Sequence, residues 1–309
     1  MCLHFKHYIF VLISIVFLTN LIVEASLAYA TSVNTLGEKE PFVIKPRNAL
    51  PIYKNNDTIT IDLNTNYGTR IVTIPYNKLL VKLDLKFNDP NNPQRITDVN
   101  MQPNPKLNVL YDSLMPAPSN RTVFIYPTFT QAAYSQNGFY DYYAKKCDSK
   151  CLTVKIPTMF SGGAYASAGG STMLYFLNYE FVTDIDVDKD PSILNKYDKV
   201  ILMHNEYVTQ NEFDAITKHK NVVYLYPNAL YAKVKSNYKT NAITLQKGHA
   251  YPNEKISNGF GWKYDNSKYE YDLQCNGWKF TSVSNGKMLN CNPDYRVFFD
   301  KDLLMEIKK

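Results

Sequence analysis

Between residues 179 and 234 the chain alternates short apolar runs with amphipathic stretches. The runs at 180–182, 200–203 and 222–226 are rich in β-branched and aromatic residues and have the length of buried strands. Between the first two lies Asp190-Pro191-Ser192-Ile193-Leu194, an N-cap followed by proline at the first helical position. Between the second and third lies Thr209-Gln210-Asn211-Glu212, a capping box, with Phe213, Ala215 and Ile216 spaced for one helix face. Strand, helix, strand, helix, strand predicts a parallel α/β unit. Ligands of such sheets bind outside the carboxyl ends of the strands. His204 and Glu206 follow the second run and Asn228 the third, so these are the first candidate site residues. Asp184, Asp186, Asp188 and Asp190 alternate like a calcium loop but lack its glycine and closing glutamate, and a solvated loop is expected there.

The flanks have a different texture. Residues 58–63, 70–74 and 79–87 alternate or run apolar like strands, and Pro90, Pro93, Pro103, Pro105, Pro116 and Pro118 then interrupt the pattern. A buried strand is expected at 121–126, another at 152–156, and a helix at 171–177. Past residue 235 come both tryptophans and many Asn and Gly; strands are expected at 269–273 and 296–299, in a β-rich segment covering the sheet or one face of it. The resulting division is a leader at 1–30, a β-rich region and proline-rich connector at 31–119, an α/β domain at 120–235 and a β-rich extension at 236–309.

The leader rests on Lys6, an apolar run over 8–23 and the small-residue site Ala28-Tyr29-Ala30, a secretory signal peptide with cleavage before Thr31. The protein is therefore expected outside the cytoplasm, secreted or at the cell surface. Cys147, Cys151, Cys275 and Cys291 then form an even set, and nearness in sequence favours the pairs Cys147–Cys151 and Cys275–Cys291. A net charge of +6, without a Lys/Arg run, does not point to nucleic acid.

Several catalytic devices are disfavoured. There is no G-x-S-x-G elbow, and the cysteines are better explained as bridges than as nucleophiles. Past the leader the histidines are His204, His219 and His249, and a zinc site would need all three, although His219 sits at a helix end. The chain is instead rich in tyrosine, with 25. Phenolates and carboxylates are hard anionic donors suited to Fe(III).

Two segments carry a resemblance. Ala133-Tyr134-Ser135 with Asn137-Gly138 and Tyr143, then Val182-Thr183-Asp184-Ile185-Asp186, His204-Asn205-Glu206-Tyr207 and Asn228-Ala229-Leu230-Tyr231, follow in order. Over about residues 120–235 this resembles the large-subunit catalytic domain of the N,N-dimethylformamidase family; it departs from that pattern at Ser135, Val208 and Tyr226-Pro227. The resemblance implies a class I glutamine amidotransferase-like (flavodoxin-like) parallel sheet without a cysteine nucleophile. It also implies an iron held by two tyrosines and a glutamate. Carried over, Glu206 is the carboxylate ligand and His204 the base or hydrogen-bond partner. Asn228 orients substrate or water. Tyr134 and Tyr143 are the preferred phenol ligands, with Tyr165 as the alternative. The expected activity is iron-dependent hydrolysis of a C–N amide bond in a small substrate. The rival expectation is a non-catalytic surface protein on the same fold that binds a glycan or other surface polymer. Homo-oligomerisation is left open.

Overall fold

The computed structural model describes residues 44–46, 58–65, 68–87, 96–157 and 167–309. The leader, Gly162, Gly163 and Tyr165 lie outside them. In the N-terminal region β1 (Ile44–Pro46), β2 (Thr58–Thr65) and β3 (Gly68–Pro75) form an antiparallel sheet. β4 (Val81–Phe87) and β5 (Ile96–Pro103) pair as a second antiparallel unit, followed by helix α1 (Asn108–Leu114).

The central sheet begins with β6 (Thr122–Tyr126), which leads into α2 (Thr128–Ala133) and α3 (Phe139–Tyr143). The short strand β7 (Thr153–Lys155) and helix α4 (Ala168–Phe176) precede β8 (Glu180–Thr183). Helix α5 (Asp184–Lys189) leads to β9 (Lys199–Leu202) and β10 (Tyr207–Val208), and α6 (Gln210–Lys218) leads to β11 (Val222–Tyr224). Then follow β12 (Ala232–Asn237), β13 (Ala242–Lys247), β14 (Phe280–Val283), β15 (Gly286–Leu289) and α7 (Lys301–Lys308). Six strands assemble in the order β14-β15-β11-β9-β6-β8, parallel throughout except for β14. The fold is thus mixed α/β with a largely parallel sheet.

Burial explains this arrangement. Parallel strands covered on both faces read as continuous apolar runs, because alternate side chains enter two different cores. Phe124, Ile201 and Val223 point to one side, against Met173 and Leu174 of α4 and Leu303, Leu304 and Ile307 of α7. Val123, Ile125, Val200, Leu202 and Val222 point to the other, against Val187 of α5 and Ile216 of α6. The segment past residue 235, expected to cover the sheet, also lengthens it through β15 and β14. Gly286 permits that docking: a Cβ there would sit 1.8 Å from the Val222 carbonyl oxygen. A second sheet, β10-β12-β13-β7, packs its Val154, Val234, Ile243 and Leu245 against Phe129 and Phe139 of α2 and α3.

Local expectations fared unevenly. Of the aspartates expected in a solvated loop, Asp184, Asp186 and Asp188 lie in helix α5 and Asp190 just past its end, because Thr183 and Asp186 close a capping box: Asp186 N–H donates to Thr183 Oγ1, and Thr183 N–H to Asp186 Oδ2 at 2.8 Å. Asp190-Pro191 does start a helical turn, a 3-10 helix over Pro191–Lys196. The strands expected at 269–273 and 296–299 are replaced by 3-10 turns at Ser267–Tyr269 and Arg296–Phe298. Arg296 Nε donates to Asp300 Oδ2 at 2.6 Å, an i, i+4 ion pair that suits a helical turn and not a strand. Cys147–Cys151 and Cys275–Cys291 sit at disulfide distance, in the expected pairing. Disulfides are typical of extracytoplasmic proteins. Among the described residues no helix is long and apolar enough to cross a membrane.

One buried acid pair ties three helices together. Asp184 and Glu212 are both fully buried. Asp184 Oδ2 accepts from Phe129 N–H of α2 at 2.7 Å, while Glu212 Oε2 accepts from Thr209 N–H at the start of α6. Burial, then the charge of Asp184, pushes Glu212 well above the usual carboxyl range; burial pushes Asp184 up to about 7. The folded state therefore keeps protons that an unfolded chain releases near pH ~4, so stability is lost as pH rises through about 7. Melting temperature followed from pH 5 to 8 should fall in the wild type and fall less in Glu212→Gln, whose amide donates to Asp184 without a titrating proton. Identical slopes would contradict this account.

Candidate functional site

The chain leaves β6 for β8 on one side of the sheet, while β9 lies on the other side of β6. Such a reversal marks the carboxyl ends of β6 and β9 as the place where open α/β sheets hold ligands. Helix α2 enters it after β6, residues 203–206 after β9 and Asn228 after β11.

Glu206 is pinned from several directions. Its N–H and that of Tyr207 both donate to Thr130 Oγ1 on α2, at 3.0 and 3.2 Å. Its carbonyl accepts from the N–H groups of Tyr231 and Ala232, at 3.1 and 2.8 Å. The neighbouring Asn205 donates through Nδ2 to Asp184 at 2.5 Å, and its carbonyl accepts from Leu230 N–H. His204 N–H donates to Ser167 Oγ at 3.1 Å, and the His204 ring lies parallel to Tyr226. Ser167, Asn228 and Leu230 all have positive φ, strain that surrounding contacts must hold in place.

The Glu206 carboxylate is fully buried and surrounded by phenols and imidazoles. Tyr134 donates its hydroxyl to Oε2 at 2.8 Å. The Tyr140 hydroxyl lies 2.8 Å from that of Tyr134 and 3.2 Å from Glu206 Oε1. The two phenol rings are stacked at 4.2 Å. His249 Nε2 contacts Oε1, and His204 Nε2 stands 3.6 Å from Oε2. Burial alone would raise the Glu206 pKa; the charge and hydrogen bond of His249, then His204 and Tyr134, hold it below the usual range. Burial, followed by the Glu206 charge, pushes Tyr134 and Tyr140 well above an ordinary phenol. The same two causes raise Glu270 to about 7, against hydrogen bonds from Asn228 and Tyr271 that lower it.

The sequence candidates are distributed as follows. Glu206, Tyr134 and His204 meet directly. Asn228 is buried and reaches the site through Glu270; its Oδ1 has no hydrogen-bond partner among the described residues. Tyr143 stands one shell out, its hydroxyl 3.4 Å from that of Tyr207 and its ring 5.1 Å from His249. Tyr165 lies outside the described residues. Tyr140, His249 and Glu270 were not among the sequence candidates. Tyr140 falls in the same aromatic stretch as Tyr143, with no spacing rule to choose between them. His249 had one available signal, the turn-like Gly248-His249-Ala250-Tyr251-Pro252. His219, by contrast, is used structurally, its ring nitrogens on the carbonyls of Tyr197 and Asn221.

Among the described residues no group of three or more His, Cys, Asp or Glu is arranged to hold a metal ion. The donors gathered here are of a different kind, two phenols and a carboxylate whose oxygens converge within hydrogen-bond distance. Their chemistry fits a hard, highly charged cation, which would favour the phenolate forms that burial now opposes.

The hold on Glu206 has a direct test. Thr130→Val keeps the side-chain shape but strips the acceptor from two buried N–H groups, and each unsatisfied group costs about 1–3 kcal/mol. Urea unfolding should show a loss of about 2–6 kcal/mol, largely restored in Thr130→Ser. A loss within error of zero would mean that this contact does not hold the loop. Compared with known proteins, the chain matches no family model and no curated relative.

Proposed function

We propose that this site is a hydrolytic centre acting on the C–N bond of a small amide, with a ferric ion held by Glu206, Tyr134 and Tyr140. The observation that carries this reading is the convergence of two phenol hydroxyls on one buried carboxylate, at 2.8 and 3.2 Å. Phenolates and a carboxylate together balance the three charges of Fe(III), and hard oxygen donors favour that ion. When bound, the ion supplies Lewis-acid polarisation of a carbonyl and activation of water.

The chain's own residues have separate tasks. Glu206 is a fixed anion whose backbone is clamped on both sides, so the site is preorganised. His204, 3.6 Å from the carboxylate, is placed to carry a proton from water to the leaving amine. Asn228, with an open buried acceptor and an amide donor, orients the substrate. The four cysteines among the described residues are held in bridges, which fits a mechanism without a thiol nucleophile.

We also infer that the sheet is of the class I glutamine amidotransferase-like, flavodoxin-like type. The order β8-β6-β9-β11-β15, which is 2-1-3-4-5 in chain sequence, supports that assignment. The disulfide pairs support a protein that works outside the cytoplasm, secreted or at the cell surface.

Elemental analysis and a visible spectrum test the reading. Purified protein reconstituted with Fe(III) should hold near-stoichiometric iron and show a phenolate-to-iron charge-transfer band. Glu206→Ala should lose both, and the loaded wild type should release amine from small amides. Colourless, iron-free wild type after reconstitution would overturn the proposal.

A further inference from the structure

The Glu206 cluster contains a donor from outside the segment on which the resemblance rests. His249 follows β13 and reaches back so that Nε2 meets Glu206 Oε1, the same oxygen that lies 3.2 Å from the Tyr140 hydroxyl. The turn that carries it is tightly specified. His249 and Ala250 both have positive φ, and they are held there by His249 N–H on Ser257 O and Ala250 N–H on Ile256 O, at 3.0 and 2.8 Å. Two consecutive side-chain-bearing residues in that region carry a conformational cost that the surroundings must offset.

The ring is held as firmly as the backbone. Tyr207 stacks on it at 5.6 Å, with Tyr231 at 4.5 Å and Tyr143 at 5.1 Å. Three phenol rings thus fix an imidazole whose nitrogen is aimed at the point where Tyr134, Tyr140 and Glu206 converge. His204 differs: its Nε2 stands 3.6 Å from the other carboxylate oxygen.

We propose that His249 Nε2 is the fourth protein donor of the ferric site, completing a set of Glu206, Tyr134, Tyr140 and His249. This deepens the ferric reading above and depends on it. Neutral imidazole is a suitable iron ligand and adds no charge, so the balance of three anionic oxygens against Fe(III) is kept. The aromatic box around the ring then takes the role that outer-shell contacts have at metal sites, fixing the ligand's orientation before metal arrives. The assignment makes the site a joint product of the α/β layer and the segment beyond residue 235.

The test uses full-length protein in which histidine carries an isotopic nitrogen label, loaded with Fe(III) and read by pulsed electron paramagnetic resonance. Wild type should show coupling to one imidazole nitrogen, retained in His204→Gln and lost in His249→Gln. His249→Gln should keep the phenolate charge-transfer band while its apparent iron affinity falls at least about tenfold. Should His249→Gln fail to fold, judged by circular dichroism without metal, the wild-type and His204→Gln spectra still decide the matter. Iron binding with the band but without imidazole coupling would overturn the role of His249 and leave the ferric site standing, as would coupling lost in His204→Gln. Wild type that binds no iron would overturn both.

Discussion

A single carboxylate buried without exposure to water sets the terms for everything around it. Glu206 carries a charge that the interior would ordinarily expel, and an isolated ion there would cost several kcal/mol or simply take up a proton. Its pKa is held down by His249 and Tyr134, brought to it from two distant parts of the chain, and by His204 on its own loop. The Glu206 loop is in turn held in place: Thr130 Oγ1 accepts from its N–H groups, Tyr231 and Ala232 N–H donate to its carbonyl, and Ser167 Oγ accepts from His204 N–H. The groups that surround that charge are chemically useful ones.

The parallel sheet makes this possible at small cost. Its strands are apolar on both faces and end together at one edge, so polar residues just past β6, β9 and β11 are collected without disturbing the core. The second sheet supplies the wall of the site. Helices α2 and α3 pack Phe129 and Phe139 against the second sheet; Tyr134, just past α2, and Tyr140 of α3 lie against the same apolar cluster and send their hydroxyls to Glu206.

The parallel unit was legible because its signals are local. Apolar runs of strand length and capping residues around Asp190 and Thr209 act within a few residues, and so does nearness in sequence of the cysteine pairs. Glu206, His204 and Asn228 were legible by position, as polar residues following buried strands. Tyr140 and His249 were not, because their roles come from tertiary approach: 66 residues separate Tyr140 from Glu206, and 43 separate His249 from it. With 25 tyrosines in the chain, identity alone cannot single one out. The Asp184 stretch misled for a related reason. Alternating aspartates look solvated, yet Asp184 points inward to Phe129 and Asn205, and Asp186 serves as a cap.

The central claim is that the Glu206 cluster is a metal site and not merely a hydrogen-bonded knot. Anomalous X-ray diffraction at the iron edge, from crystals of protein loaded with Fe(III), tests it most directly. The account predicts one strong peak in bonding contact with Glu206, Tyr134 and Tyr140. A peak elsewhere on the molecule, or none with the cluster still closed by its own hydrogen bonds, would contradict it.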